Sequence, residues 1–321
     1  MNTILLIDGN AIMHRAYHAL PPMSTNEGVP TNAVFGFFTM LQKAVQDLGA
    51  THLIVCFDTP KPTFRKELLK EYQAHRPKMV TDMSSQFPLV RQLLDAAGVQ
   101  RFEKEGFEAD DVIGTLAEHF KKQDNFRVFI LTGDRDIMQL VDQNVFVITP
   151  LKGLSTIGIY NSESVLEKFG VEPKQIPDLK ALMGDSSDNY HGAKGIGPKT
   201  AVKLLNQFKT VENLLENVDQ IKEDRIRGLI QEHVENIRLS KQLATISRDV
   251  DVVCEVEQTA FTGFKPQMRT ELEKLQLYSL LGRLFGGKSP SKTAAVKESK
   301  KEKASKKELF EKTSPQLDLF S

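Results

Sequence analysis

Cysteine is scarce, charge of either sign is not in excess, and no long apolar run is present. The 321-residue chain holds two cysteines, Cys56 and Cys254, far apart and each in an apolar stretch. That excludes a disulfide framework and fits a reduced, cytoplasmic protein. The seven histidines are scattered, and no Cys/His spacing of the zinc type occurs. His14 and His18 stand four apart without a strand-end acid beside them in sequence; packing or substrate contact accounts for them better than a metal. The start, MNTILLIDGN, has no basic segment and only four apolar residues before Asp8. It reads as neither signal peptide nor membrane span, and no other segment reaches transmembrane length. There is no internal repeat.

The net charge is zero, with 42 basic and 42 acidic residues, but the balance hides an asymmetry. Residues 288–312 hold nine Lys against four Glu, and Asp318 follows. Residues 1–287 therefore carry 33 basic and 37 acidic side chains. Either this body gathers acids at a functional place, or it is merely mildly acidic.

Short apolar runs at Thr3–Ile7, His52–Phe57, Arg127–Leu131 and Val145–Ile148 read as buried strands. Helical periodicity fills the gaps, at Val34–Leu48, Ser85–Ala97 and Asp110–Lys121. Such alternation predicts an α/β fold with a parallel sheet covered on both faces. From Ser162 the pattern turns helical, with Ser162–Phe169, Ile176–Met183, Lys199–Phe208 and Val211–Val218 broken by Gly and Pro. The Lys/Ser/Glu-rich stretch 288–314 reads as a disordered tail.

The position of the acids carries the chemistry. ILLID ends one strand with Asp8, LIVCFD another with Asp58, and VFILTGDRD a third with Asp134 and Asp136. Ligands of open parallel sheets bind beyond the carboxyl ends of the strands. EADDVIGT adds Glu108, Asp110 and Asp111 at a helix start, where acids also serve the helix dipole. MGDSSDN adds Asp185 and Asp188 in a turn, where Asp also caps. Two carboxylates about 5 Å apart repel by roughly 3 kcal/mol at an effective dielectric of 20. Nine acids on one edge therefore need cations, and oxygen-only clusters suit Mg²⁺ or Mn²⁺. Paired ions about 4 Å apart hydrolyse phosphodiesters in many nucleases. A glycosidase dyad needs only two acids.

HGAKGIGPKTAVKLL follows the last acids. Gly192, Gly195 and Gly197 precede Pro198, suited to a first helical position, and Lys194, Lys199 and Lys203 add charge. This pattern offers an anion site that holds a DNA backbone without reading bases; an ordinary Gly-rich connection is the competing reading. Between Asp58 and Ser85, Lys61, Arg65, Lys66, Lys70, Arg76 and Lys78 interleave with Phe64 and Tyr72. Basic and aromatic residues together suit a single-strand channel; a solvated basic helix is the alternative.

LLIDGN, VCFD, EADDVIGT, LTGDRDIMQLV and ALMGDSSDN…GIGPKTA occur in this order. Over about residues 1–285 the chain resembles the 5′-nuclease domain of bacterial DNA polymerase I and, more broadly, the flap endonucleases. The resemblance implies a PIN/resolvase-like core with a helical arch, then a helix–three-turn–helix subdomain. We expect the core over 1–160 with its arch at about 61–92, the helical DNA-binding subdomain over 161–287, and the tail over 288–321. It implies a two-metal site at Asp8, Asp58, Glu108, Asp110, Asp111, Asp134, Asp136, Asp185 and Asp188. DNA contacts are expected at Arg65, Tyr72, Arg76, Lys194, Gly195, Gly197, Lys199 and Thr200, with K⁺ at the glycine loop. The implied activity is 5′-3′ exonuclease and flap endonuclease cleavage near single-strand/duplex junctions, on DNA with 5′ flaps, nicks or RNA primers. The implied setting is replication and repair, by a monomer in the cytoplasm at the nucleoid. PIN ribonucleases share an acidic core but not the glycine-loop subdomain, and a non-catalytic junction binder would have no use for so many mutually repelling acids.

Two positions depart from the family pattern. Gln73 stands where the arch usually has Lys, and Asn189, Tyr190, His191, Gly192 stand where Asn-Ile-Pro-Gly is usual. We expect no proofreading or polymerase segment. Instead the chain ends PQLDLFS, and Gln316, Leu317, Asp318, Leu319 and Phe320 resemble the pentapeptide that docks bacterial clients into the sliding clamp. A chance apolar end is the other reading.

Overall fold

The computed structural model describes residues 1–152 and 156–286. The expected tail and its Gln316–Phe320 motif lie outside the described residues. Six strands form one sheet in the order β3-β2-β1-β4-β5-β6. They are β1 (Asn2–Asp8), β2 (His52–Cys56), β3 (Gln100–Phe102), β4 (Phe126–Leu131), β5 (Val145–Lys152) and β6 (Thr156–Tyr160). The first five run parallel, and β6 pairs antiparallel with β5.

β1 lies at the centre, and this explains its unbroken apolar run. Ile4 and Leu6 join one core, while Leu5 and Ile7 join the core on the other face. A strand covered on both sides has no polar alternation to keep. One face is covered by α1 (Gly9–Ala19), α2 (Asn32–Leu48) and, beyond α3 (Phe64–Leu68) and α4 (Thr81–Ser84), by α5 (Gln86–Ala97). α2 and α5 stop at Gly49 and Gly98, both left-handed. The other face packs on α6 (Ala109–Lys121) and on the helices that follow the sheet.

Those helices are α7 (Ser162–Phe169), α8 (Ile176–Met183), α9 (Pro198–Phe208), α10 (Val211–Glu216), α11 (Asp224–Glu232) and α12 (Val234–Ala244). The last two, α13 (Gln267–Lys274) and α14 (Tyr278–Phe285), return to the first face. Met268, Leu272, Leu277 and Leu280 of this segment are buried with the residues of α2 and α5. The sheet is thus clamped by helices from both ends of the chain. Among the described residues no helix is long and apolar enough to cross a membrane.

Candidate metal-dependent nuclease site

The carboxyl edge of the sheet opens into a cleft of about 970 Å³. Asp8 ends β1 and caps α1: its Oδ1 accepts from the Ala11 N–H at 2.9 Å and its Oδ2 from the Thr132 hydroxyl at 2.7 Å. The Thr132 hydroxyl in turn accepts from the Asp134 N–H at 2.9 Å, and Asp134 Oδ1 accepts from the Asp136 N–H at 2.8 Å. One polar chain therefore fixes the ends of two adjacent strands. Asp58 accepts from the Ala109 N–H at the start of α6, at 2.8 Å. Its own N–H donates to Asn10 Oδ1 at 3.1 Å.

The second acid group comes from the loop after α8. The Asp185 N–H donates to the Tyr190 carbonyl at 2.9 Å, and the Tyr190 N–H donates back at 3.0 Å. The loop base is closed by Gly192, where a Cβ would lie 2.4 Å from the Leu182 carbonyl oxygen. Carboxylate oxygens of Asp136, Asp185 and Asp188 lie within 4.8 Å of one another. Lys180 of α8 bridges Asp136 and Asp185, reaching the latter at 2.5 Å. This lysine escaped the sequence reading; its only signal was a cation in a helix that is otherwise mostly apolar, five residues before Asp185.

Burial raises these acids. Asp8 is pushed up to about 7 by burial, and the charges of Asp58 and Asp134 add to it. Glu108 reaches about 7 by burial, against the pull of Arg65. Asp136 reaches about 7 by burial, against Lys180. Asp110 is held well above the carboxylate range by burial, then by Asp134, Asp8, Glu108 and Asp58. Burial also pushes Asp185 up, but Lys180 and Ser187 outweigh it and hold it below its ordinary value.

The linkage has a definite sign. Folded Asp8, Glu108 and Asp136 hold protons more tightly than the unfolded chain does. Their contribution to stability is present below their ordinary values of 3.8 to 4.5 and is lost as pH rises through about 7. In EDTA the protein is expected to melt several degrees lower at pH 8 than at pH 5. Mg²⁺ should close that gap; a melting curve that is flat across this window, or a higher value at pH 8, would contradict it.

Eight of the nine acids face this region: seven line the cleft, and Asp185 joins through Asp136 and Asp188. Asp111 does not. It is fully buried and takes a two-pronged ion pair from Arg65, at 2.7 and 2.8 Å. It also accepts from the Glu108 and Ser247 N–H groups, at 3.0 and 2.8 Å. In this structure its acceptor capacity is spent on the protein.

Two of the expected DNA-contact residues are likewise engaged within the protein. Arg65 is 2% exposed. Its donors go to Asp111, Glu108 and the carbonyls of Leu243 and Thr245. No donor remains for a phosphate. Tyr72 is also 2% exposed, stacks on Tyr190 and points its hydroxyl at Glu108 and Asp188. It holds the arch segment down rather than offering a free ring. Arg76 does stay accessible, and its guanidinium meets Asp188 at 2.5 Å. Lys194, Gly195, Gly197 and Lys199 are exposed before and at the start of α9, Thr200 is half-buried, and Pro198 begins the helix. Gly195, at φ 96°, supplies the left-handed turn. His14 is exposed and lines the cleft.

A cleft crowded with carboxylates at the carboxyl edge of such a sheet marks a metal-dependent nuclease. Family models for the 5′-3′ exonuclease N-terminal resolvase-like domain and the 5′-3′ exonuclease C-terminal SAM fold match residues 3–170 and 171–267. The chain belongs to the 5′-3′ exonuclease family. It is 46% identical over 260 residues to the DNA polymerase I of Bacillus caldotenax, which is 81% of this chain and 30% of that protein. It is 37% identical over 284 residues to the 5′-3′ exonuclease of Aquifex aeolicus (strain VF5), 88% of this chain and 94% of that one. The chain thus spans about a third of the length of the DNA polymerase I relatives it matches. Its fold is shared by a bacteriophage T5 flap endonuclease solved as a pseudo-enzyme-product complex with DNA and metal ions. The TM-score is 0.62 at 19% identity, over 88% of this chain and 96% of that one.

Proposed function

We propose that this protein is a structure-specific 5′-3′ exonuclease and flap endonuclease that hydrolyses phosphodiester bonds near a single-strand/duplex junction. Primer removal and DNA repair, in the cytoplasm at the nucleoid, are the processes it would serve. The observation that carries this reading is one cleft lined by both charges: Asp8, Asp58, Asp110 and Asp134 share it with Lys61, Lys66, Lys70 and Arg76. A carboxylate cluster of this kind, raised by burial, fits hard divalent cations. Two Mg²⁺ or Mn²⁺ ions would be held, one by Asp8, Asp58, Glu108, Asp110 and Asp134, the other by Asp134, Asp136, Asp185 and Asp188. When bound, such ions activate water and stabilise charge on the phosphate and the leaving oxygen.

The protein's own groups then position the strand. The arch cations attract its phosphates, and Arg76 exchanges Asp188 for a phosphate near the acids. The Lys194–Thr200 segment holds the duplex backbone, with K⁺ as an additional bridge. In this reading residues 1–160 supply most of the reaction centre, residues 161–287 complete it with Asp185 and Asp188 and hold the duplex, and residues 288–321 recruit. The recruiting contact would be Gln316–Phe320 in the sliding clamp, made by a monomer.

A labelled 5′ flap, a nicked duplex and an unstructured RNA test the activity with and without Mg²⁺. Short 5′ products from the flap, absent in EDTA, are expected. Equal or better cleavage of the RNA would overturn the substrate assignment. Truncation after Pro315 is expected to abolish capture by the bacterial sliding clamp in a pull-down and to leave cleavage of free flaps unchanged. Undiminished capture would remove the recruiting role.

A further inference from the structure

The loop that carries Asp185 and Asp188 also carries Tyr190. Its ring is accounted for: it is 3% exposed and stacks on Tyr72 with centroids 6.4 Å apart and planes 16° from parallel. Its hydroxyl is not. That oxygen has no hydrogen-bond partner among the described residues. A phenylalanine would stack as well without a stranded polar atom. The Tyr190 ring lies nearly parallel to that of Tyr72, whose hydroxyl reaches Asp188 at 3.3 Å. A buried donor therefore stands beside the acid cluster and is bonded to none of its members.

Those three acids share two cations: Lys180 pairs with Asp136 and Asp185, and Arg76, half exposed, pairs with Asp188 at 2.5 Å. The double hydrogen bond between the backbones of Asp185 and Tyr190 fixes the ring relative to the cluster.

We propose that Tyr190 is a positioning residue for a divalent cation held by Asp136, Asp185 and Asp188, its hydroxyl donating a hydrogen bond into that cation's shell. This rests on the metal site argued above. Groups in this outer position orient the inner ligands, and their loss typically weakens metal binding about 10- to 100-fold.

The test uses the full chain stripped with chelator and titrated calorimetrically with Mn²⁺ in the absence of DNA. Asp136→Asn identifies the binding step that belongs to this cluster, because that step should vanish. Tyr190→Phe is expected to weaken the same step at least about tenfold. It should leave the melting temperature in EDTA unchanged or higher, because it removes only an unpartnered hydroxyl. An unchanged Mn²⁺ step in Tyr190→Phe overturns the proposal. So does a lower melting temperature in EDTA, which would make the hydroxyl a structural group. A parent chain that binds no Mn²⁺ would instead sink the metal site itself, a result distinguishable from either.

Discussion

Asp134→Ala is expected to lower the release of short 5′ products in Mg²⁺ by at least about a thousandfold, since it removes charge aimed at the reacting centre. The position of Asp134 is the reason. Its charge raises Asp8, Asp58 and Asp110 on one side and Asp136 on the other. It therefore belongs to both proposed cation sites. It also joins the polar chain from Asp8 through Thr132 to the Asp136 backbone. The same substitution relieves repulsion in the metal-free cleft. Its melting temperature in EDTA should accordingly be equal to the parent's or higher, while activity collapses. Flap binding in Ca²⁺ separates chemistry from affinity. Cleavage within about tenfold of the parent would mean that the reaction happens elsewhere.

The strand-end acids were legible because an apolar run ending in Asp is a local signal. ILLID and LIVCFD carry it within a few residues, and the structure brings Asp8 and Asp58 to one edge. The short strand Gln100–Phe102 has three half-buried residues and no such run, and β6 pairs antiparallel at the sheet edge. Neither has a period to detect. The fate of Asp111 depended on contacts far along the chain. Neighbouring residues on a helix point about 100° apart, so Asp110 and Asp111 cannot both face one cleft. Which of them turned inward was decided by Arg65, 46 residues away, and by the carbonyls of Leu243 and Thr245. The setting of Tyr72 was hidden for the same reason. Nothing near it in sequence reveals that Leu243, Ala244 and Tyr190 close over its ring.

Arg65→Met should therefore be the most damaging change to stability rather than to chemistry. The pair is buried on both sides, with side-chain exposures of 3% and 0%. Removing one partner strands a carboxylate in the protein interior, which typically costs about 3–5 kcal/mol. For a chain of this size that is a fall of about 4–8 °C in melting temperature. Arg65→Lys should rescue little, because a point charge cannot meet both Asp111 oxygens and two carbonyls at once. The double variant Arg65→Met, Asp111→Leu is the deciding measurement. If the pair anchors the arch to α6 and α12, removing both charges should recover much of the loss, and the two single effects will be far from additive. Thermal and urea unfolding in EDTA read this directly. If Asp111 were a cation ligand instead, Asp111→Leu would weaken Mn²⁺ binding and relieve repulsion in the metal-free state. It would then melt higher than the parent in EDTA, where a severed ion pair melts lower.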